Sequence, residues 1–289
     1  MADSGKQRVT AAAKPLAPAP AQTQPRASAQ AQAKALAQAP APAQRAVKPP
    51  VSTPAASSTK QNQVLNEADW AVPTAPRVAL VKRLREKGIR SEAVLNAILR
   101  VPRERFIDEA LWSRAYQDDA LPIGHGQTIS QPFVVARMIE AILPGGSAGT
   151  GRFKKILEVG TGCGYQAAVL AQLADEVYSI ERIRALYDKA RANLRPLRLP
   201  NVRLAFGDGY QGLIEAAPFD AIIVAAAAPV LPQALVQQLK RGGKMIIPVG
   251  SNDAGAAQQL KLIDKRGMTV IEKQLDLVRF VPMLGGLAK

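Results

Sequence analysis

Three closely spaced glycines form the segment with the clearest chemical signal in this 289-residue chain. Gly160, Gly162 and Gly164 follow a short apolar run, and Glu158 lies two positions before the first of them. Glycines let a backbone turn sharply and approach a ligand closely, and the helix expected next offers free N–H groups. A dinucleotide-binding turn would need the spacing G-x-G-x-x-G, whereas this turn is G-x-G-x-G with an acidic side chain beside it. The segment therefore favours a cationic ligand, and S-adenosyl-L-methionine carries both an ammonium and a sulfonium.

Acidic residues also end the next two predicted strands. Glu181 follows the glycine turn by about twenty residues, at the place where a carboxylate can accept both hydroxyls of a ribose. Asp208 and Gly209 end the third strand, where we expect the adenine to lie. Because ligands of such sheets bind beyond the carboxyl ends of the strands, these segments predict one cofactor site. We expect S-adenosyl-L-methionine as cofactor, S-adenosyl-L-homocysteine as its product, and no metal.

The segment after the fourth predicted strand limits what can accept the methyl group. Enzymes that methylate amines of DNA, RNA or protein glutamine commonly carry Asn or Asp, prolines and an aromatic residue there, whereas residues 224–229 are Val-Ala-Ala-Ala-Ala-Pro. Cytosine-C5 chemistry needs a nucleophilic cysteine in that region, and the single cysteine, Cys163, lies in the glycine turn. A carboxylate is already ionised at neutral pH, since its unperturbed pKa is about 3.9. The sequence therefore favours a carboxylate acceptor, which needs no general base.

Alternating apolar strands and helices must position these residues. Their order predicts an α/β fold with a doubly wound, Rossmann-like methyltransferase sheet, mostly parallel and completed by a C-terminal hairpin. The fourth strand is nearly all apolar, so we expect it to be central. The predicted strands cover 156–159, 177–180, 202–206, 219–224 and 243–248, the helices between them cover 165–173, 183–194 and 231–239, and the hairpin covers 259–263 and 268–274.

An N-terminal helical extension is predicted ahead of this core. Two short helices broken at Gly88 are expected within residues 77–99, with Ser91 as the N-cap of the second. Residues 121–132 combine glycines, prolines and polar side chains, which favours a loop rather than a core element. A helix follows with Pro132 at its first position. Functional residues concentrate in such loops, so this segment is a second candidate for the site.

Composition divides the chain into two parts. Residues 1–62 are mostly Ala, Pro, Gln, Ser and Thr, which predicts a disordered basic tail. The methyltransferase domain is expected over residues 63–289, with the helical extension and substrate loop in 63–143 and the cofactor-binding core in 144–289. The tail carries about eight basic residues against Asp3 alone, so it supplies roughly half of the net charge of +15.

Composition also limits the partners and the compartment. With 4% aromatic residues there are few platforms on which bases could stack, so no specific nucleic-acid partner is expected. A single cysteine allows no internal disulfide, and nowhere do eighteen apolar residues run together. We therefore expect a cytoplasmic protein that does not bind membranes.

Segments spread over residues 77–287 resemble the protein-L-isoaspartate O-methyltransferases, in order and at matching spacing. The resemblance implies methyl transfer from S-adenosyl-L-methionine to the α-carboxylate of L-isoaspartyl residues in damaged proteins and peptides, which starts repair through a succinimide. We expect the protein to act as a monomer. The segments that carry the resemblance are 101–106, 121–132, 159–162, 180–183, 207–209, 219–224 and 278–282.

The resemblance also implies roles for individual residues. Ser130 would be the catalytic residue, binding and orienting the substrate carboxylate through its hydroxyl. From the residues alone, an alternative is that Ser130 only caps the helix that begins near Pro132. The other implied contacts are Thr128 and Ile129 with the cofactor, and Gln131, Pro132, Val224 and Ala225 with the substrate.

Three residues need separate comment. Cys163 stands where the family usually has serine or alanine, and Ala225 replaces a threonine common in bacterial members. His125, the only histidine, is expected to have no catalytic role, because a carboxylate nucleophile needs no base. Two other hypotheses remain open. One is an RNA or small-molecule methyltransferase, and the other is a non-catalytic protein that binds the cofactor or polyanions.

Overall fold

A computed structural model of the chain describes residues 74–145, 151–251, 253 and 256–288. The predicted tail, residues 1–62, lies outside the described residues. The helices are α1 (Ala75–Glu86), α2 (Glu92–Arg100), α3 (Pro132–Ile142), α4 (Tyr165–Ala171), α5 (Arg184–Leu194) and α6 (Gln233–Gln238). The strands are β1 (Leu121–Gly124), β2 (Gln127–Ile129), β3 (Phe153–Val159), β4 (Ala174–Glu181), β5 (Val202–Phe206), β6 (Phe219–Val224), β7 (Leu239–Val249), β8 (Gln258–Arg266) and β9 (Thr269–Val278).

Seven strands form one mostly parallel sheet in the order β5-β4-β3-β6-β7-β8-β9. The pairs among β5, β4, β3, β6 and β7 are parallel, and β8 and β9 add an antiparallel hairpin at one edge. The predicted fold class is confirmed, and β6 is the central strand as expected. Strand order reverses between β3 and β6, which opens a crevice at their carboxyl ends.

Helices cover both faces of the sheet because its central strands are apolar on both sides. Ile156 of β3 and Ile223 of β6 belong to a cluster that includes side chains of α1 to α5. The alternate residues Leu157 and Ile222 belong to a second cluster with Leu235 of α6. This division follows from the two-residue period of a strand, and it explains why these strands are continuous apolar runs.

Three of the five core strands, β3, β4 and β7, begin three or four residues earlier than the apolar runs predict. β3 begins at Phe153 rather than Ile156, because its charged start is anchored from the neighbouring strand. The Asp220 carboxylate on β6 accepts the backbone N–H groups of Lys154, at 2.5 Å, and Lys155, at 2.8 Å. Polar strand ends of this kind are stabilised by tertiary partners that hydrophobic periodicity does not detect.

The predicted loop over residues 121–132 is wrong in part, since β1 and β2 form a short antiparallel hairpin there. Leu121, Ile123 and Ile129 are buried, so the segment contributes to the core. His125 and Gly126 both have positive φ, 55° and 67°, as a tight two-residue turn requires. The histidine is exposed at the tip of this turn.

The helical elements before the hairpin are confirmed. Gly88 separates α1 from α2 with φ of 102°, and the Ser91 hydroxyl accepts the N–H of Val94 at 3.4 Å. The buried Glu140 of α3 accepts the N–H groups of Arg90, at 2.7 Å, and Ser91, at 2.6 Å, which ties the start of α2 to α3. Within the described ranges, no helix has both the length and the apolar character that a membrane crossing needs.

Candidate active site

A cleft of about 880 Å³ lies beyond the carboxyl ends of β3, β4 and β6. The β1–β2 hairpin and the residues after it line one side, and residues 281–284 line another. The predicted residues that the structure brings together along this cleft are Thr128, Ile129, Ser130, Glu158, Gly160, Gly162, Glu181, Gly209 and Ala225.

The glycine turn between β3 and α4 adopts a backbone that side chains disfavour. Gly160, Gly162 and Gly164 have φ of 92°, 56° and 91°. A Cβ atom on Gly162 would lie 3.2 Å from the Ile123 side chain of the hairpin. The turn therefore needs glycine for its conformation and for its close packing against β1.

Glu158 is a fully buried carboxyl group at the end of β3, and it lines the cleft. Its Oε2 accepts the Ser179 hydroxyl at 2.5 Å, and Ser179 is hydrogen-bonded to Thr161 at 2.6 Å. Its Oε1 has no hydrogen-bond partner in the described part of the chain. Burial raises the pKa of Glu158 to about 8, although the interactions of Ser179 and Gln166 with the carboxyl group favour its charged form.

Glu181, at the end of β4, is held by backbone donors on both carboxylate oxygens. Oε2 accepts the N–H of Gly162 at 2.9 Å, which ties the glycine turn to β4. Oε1 accepts the N–H groups of Arg182 and Ile183, each at 2.9 Å. Backbone contacts on both oxygens fix the carboxylate in one orientation at the rim of the cleft.

The residues of the cleft fit S-adenosyl-L-methionine. A buried carboxylate oxygen without a partner is costly unless a ligand supplies a donor, and the methionyl ammonium is such a donor. The Gln166 side chain also lines the cleft and favours the charged form of Glu158, and its Nε2 makes no other hydrogen bond among the described residues. Glu181 lines the same cleft with an orientation fixed by the backbone, and the positive-φ glycines let the backbone approach a ligand.

Ser130 lies where this cleft meets a second recess of about 1000 Å³. Thr128, Ser130, Ala225 and Val281 line both cavities. The alternative that Ser130 caps α3 is wrong, because Gln131 occupies the N-cap position and the Asp118 carboxylate accepts the N–H of Phe133, in the first turn, at 2.8 Å. The Ser130 hydroxyl therefore does not serve as the helix cap.

Several predicted site residues do not line the cleft. Gly164 packs towards Leu194 of α5, and Gln131 lines only the second recess. Asp208 accepts the N–H of Gly286 at 2.8 Å and that of Tyr210 at 2.9 Å. The remaining two are Pro132 and Val224, which are both buried.

The C-terminal segment is the part of the cleft that sequence reasoning missed. The N–H of Ala227 donates to the carbonyl of Val281 at 2.8 Å, and the N–H of Met283 donates to the carbonyl of Ala227 at 2.7 Å. Asp208 adds its bond to Gly286, so the acidic end of the third core strand anchors this wall. The lining residues without a sequence prediction include Gln166, Arg182, Ile183, Pro282, Met283 and Leu284.

Cys163, within the glycine turn, and Tyr165, directly after it, are both buried. Burial raises the pKa of the Cys163 thiol to about 11, so the thiol is not a nucleophile at neutral pH. Tyr165 packs edge-on against Phe106, with ring centroids 5.6 Å apart.

Comparison with known proteins decides the family. The model of the protein-L-isoaspartate(D-aspartate) O-methyltransferase family matches residues 75–288. The chain belongs to this family. A protein-L-isoaspartate O-methyltransferase of Azoarcus sp. (strain BH72) is 57% identical over 210 residues, which cover 73% of this chain and 93% of that protein. One from Bordetella avium (strain 197N) is 56% identical over 213 residues, covering 73% and 77%.

Solved structures of protein-L-isoaspartate O-methyltransferases have the same fold. One is 30% identical with a TM-score of 0.65, and the match covers 73% of this chain and 67% of that chain. A second, from Plasmodium falciparum, was solved in complex with S-adenosyl-L-homocysteine. It is 29% identical with a TM-score of 0.59, covering 71% and 97%. The family resemblance noted from the segments of the sequence is thereby confirmed.

Proposed function

We propose that the chain methylates the α-carboxylate of L-isoaspartyl residues in damaged proteins, with Ser130 orienting that carboxylate. Family membership supports the reaction. The observation that supports the residue assignment is that Ser130, Thr128 and Ala225 line both cavities. A methyl donor in the cleft and a peptide in the second recess would meet at these residues.

The cofactor is held at its methionyl ammonium and at its ribose. The unpartnered Oε1 of Glu158 accepts the methionyl ammonium, and Glu181 accepts the ribose hydroxyls. Thr128, Ile129 and the glycine turn contact the middle of the cofactor, and Gly209 lies beside its base. Asp208 supports the site indirectly, because it anchors the C-terminal segment that lines the cleft.

When bound, S-adenosyl-L-methionine supplies an electrophilic methyl group, so a carboxylate oxygen forms the new C–O bond while the C–S electron pair returns to sulfur. No proton moves in this step, and none of the chain's residues needs to act as a base. The Ser130 hydroxyl donates one hydrogen bond to the carboxylate oxygen that does not react. Gln131 contacts the peptide from the second recess.

The geometry of the hairpin is suited to this role. Ser130 follows β2 directly, and the hairpin is fixed by its buried apolar residues, so the hydroxyl is presented from a rigid segment. Alignment of the carboxylate with the methyl group accelerates the reaction, and exclusion of water removes solvation that stabilises the charged reactants more than the less charged transition state. Positioning is therefore the main task of the protein in this reaction.

The compartment, the oligomeric state and the bounds of the catalytic domain are also proposals. We infer a monomeric enzyme, and a cytoplasmic one because the single cysteine allows no internal disulfide. The methyltransferase domain comprises residues 63–289, so a chain that lacks residues 1–62 keeps its activity. Light scattering, cell fractionation and the truncated chain test these three statements.

The reaction itself is tested with methyl-labelled S-adenosyl-L-methionine and an isoaspartyl peptide. The label is expected in the peptide and is lost as methanol in mild base, because methyl esters of carboxylates hydrolyse readily. Incubation with total RNA in place of the peptide is the control. Label in RNase-sensitive material, with none in the peptide, would overturn the proposal in favour of an RNA methyltransferase.

A further inference from the structure

Arg103 is a fully buried arginine that contacts the backbone on either side of the hairpin. It begins the short 3₁₀ segment Arg103–Phe106 and has no exposed surface. Its Nη2 donates to the carbonyl of Ser130 at 2.8 Å and to the carbonyl of Asp119 at 3.2 Å. Asp119 precedes β1 and Ser130 follows β2, so one guanidinium holds both ends of the hairpin.

Arg103 forms no ion pair with any residue that the structure describes, although the Asp118 carboxylate and the Tyr165 hydroxyl favour its charged form. Neither Nε nor Nη1 of Arg103 has a hydrogen-bond partner among the described residues. Burial lowers the pKa of Arg103 from its usual range, which reflects the free energy needed to remove a guanidinium from water. These contacts offset the cost of burying the charge only in part, since the net effect still lowers its pKa, so stability alone does not account for this residue.

The same guanidinium also contacts the first turn after the glycine loop. Its central carbon lies 4.8 Å from the centre of the Tyr165 ring, a distance at which a cation is attracted to an aromatic face. Tyr165 is the first residue of α4 and lines the cleft. Arg103 therefore links the segment that carries Ser130 to the segment that carries the glycine turn.

We propose that Arg103 is a positioning residue that sets Ser130 relative to the cofactor turn, so that the bound carboxylate lies in line with the methyl group. The inference rests on the role proposed above for Ser130. Methyl transfer is sensitive to alignment, and a displacement of about 1 Å can reduce a rate about 100-fold. Arg103 acts on the Ser130 main chain, which leaves the serine hydroxyl free for the substrate.

The location of the charge fits the chemistry of the step. The substrate carboxylate loses its negative charge as it attacks the sulfonium, so a cation in direct contact with it would stabilise the reactant more than the transition state. A guanidinium bound to backbone carbonyls avoids this penalty and still fixes the geometry. We therefore expect Arg103 to affect kcat more than the KM of the peptide.

The first test is Arg103→Met, which keeps an unbranched side chain and removes both backbone hydrogen bonds. We expect kcat for an isoaspartyl peptide to fall at least tenfold, while the Kd of S-adenosyl-L-homocysteine, measured by calorimetry, changes less than threefold. Arg77→Met is the matched control, because Arg77 is also buried and donates to the carbonyls of Leu99 and Arg100 at the end of α2. That variant is expected to lower Tm and leave kcat within twofold of wild type.

A double-mutant cycle with Ser130→Ala separates positioning from general destabilisation. If Arg103 acts through Ser130, Arg103→Met lowers kcat much less in the Ser130→Ala background than in wild type. Equal fold losses in the two backgrounds would overturn the proposal, and so would an unchanged kcat in Arg103→Met. If the methionine variant does not fold, Arg103→Lys and Arg103→Gln carry the same comparison. Failure of the wild type to methylate the peptide would instead reject the proposed function.

Discussion

Glu158→Gln tests the role of the buried carboxyl group in the cofactor cleft. The substitution keeps the size of the side chain and removes its ability to ionise. With a pKa raised to about 8, Glu158 is mostly protonated at pH 7 in the free protein, and the cationic ligand requires its ionised form. Wild-type affinity for S-adenosyl-L-homocysteine is therefore expected to rise as the pH increases from 6 to 8, with release of a proton on binding.

The size of the effect follows from the cost of ionisation. At pH 6 the wild-type carboxyl group lies two units below that pKa of about 8, so its ionisation costs about 3 kcal/mol at about 1.4 kcal/mol per unit. A hydrogen bond to a charged group contributes about 1.5–3 kcal/mol. The two terms roughly cancel at pH 6, so wild type and Glu158→Gln are expected to bind with similar affinity there. At pH 8 the variant is expected to bind about tenfold or more weakly.

The same variant is expected to stabilise the free protein. A carboxyl group whose pKa is higher in the folded than in the unfolded state binds its proton more tightly when folded. The free energy of unfolding therefore decreases as the pH rises from about 4.5 towards 8 and then levels off. Glu158→Gln removes the ionisable group and therefore this loss of stability at higher pH. The Tm of the variant without ligand is expected to exceed that of wild type most at pH 8.

Calorimetric titration at pH 6, 7 and 8, in two buffers of different ionisation enthalpy, measures both the affinity and the proton release. Ser179→Ala is a useful companion, because it removes the hydrogen bond that favours ionised Glu158. That change is expected to move the pH dependence to higher pH. A wild-type affinity that is the same at all three pH values, with no proton released, would refute the reasoning.

Three further predictions concern neighbouring residues. Ser130→Ala is expected to lower kcat/KM for an isoaspartyl peptide roughly 10- to 100-fold, the contribution of a hydrogen bond to a charged group. Calorimetry should find its affinity for S-adenosyl-L-homocysteine within threefold of wild type, and a loss of both would contradict the assigned role. Gly162→Ala places a side chain at φ of 56°. The variant is expected to lower the free energy of unfolding, measured by urea denaturation, by about 1–3 kcal/mol and to weaken cofactor binding. Gly242→Ala, at φ of 76° with nothing near its Cβ, is the control that should affect stability alone. Cys163, whose buried thiol has a pKa raised to about 11, is expected to resist iodoacetamide at pH 8 until the protein unfolds, and rapid labelling of the native protein would show the burial to be wrong.

Much of the cofactor site could be predicted from the sequence because it depends on local signals and on strand order. The glycine turn and the acidic ends of the first two core strands each follow an apolar run. Parallel topology then brings Glu158 and Glu181 to one edge of the sheet. No long-range packing needs to be known for that step.

The other walls of the site depend on contacts between distant parts of the chain. Asp208 has its partner Gly286 78 positions away, and Arg103 has its partner Ser130 27 positions away. Neither pairing leaves a periodic signal. The hairpin is a different case, because buried Leu121 and Ile123 alternate with exposed Pro122 and Gly124. That alternation was present in the sequence, and the glycines and prolines concealed it.

The most direct test of the proposed function compares two peptides that differ only at one linkage. An isoaspartyl peptide and the matched aspartyl peptide are incubated with the purified protein and methyl-labelled S-adenosyl-L-methionine, and initial rates are measured as base-released methanol. We expect saturable methylation of the isoaspartyl peptide and no rate above background with the aspartyl peptide. Equal rates for the two peptides, or no labelling of either, would contradict the proposal.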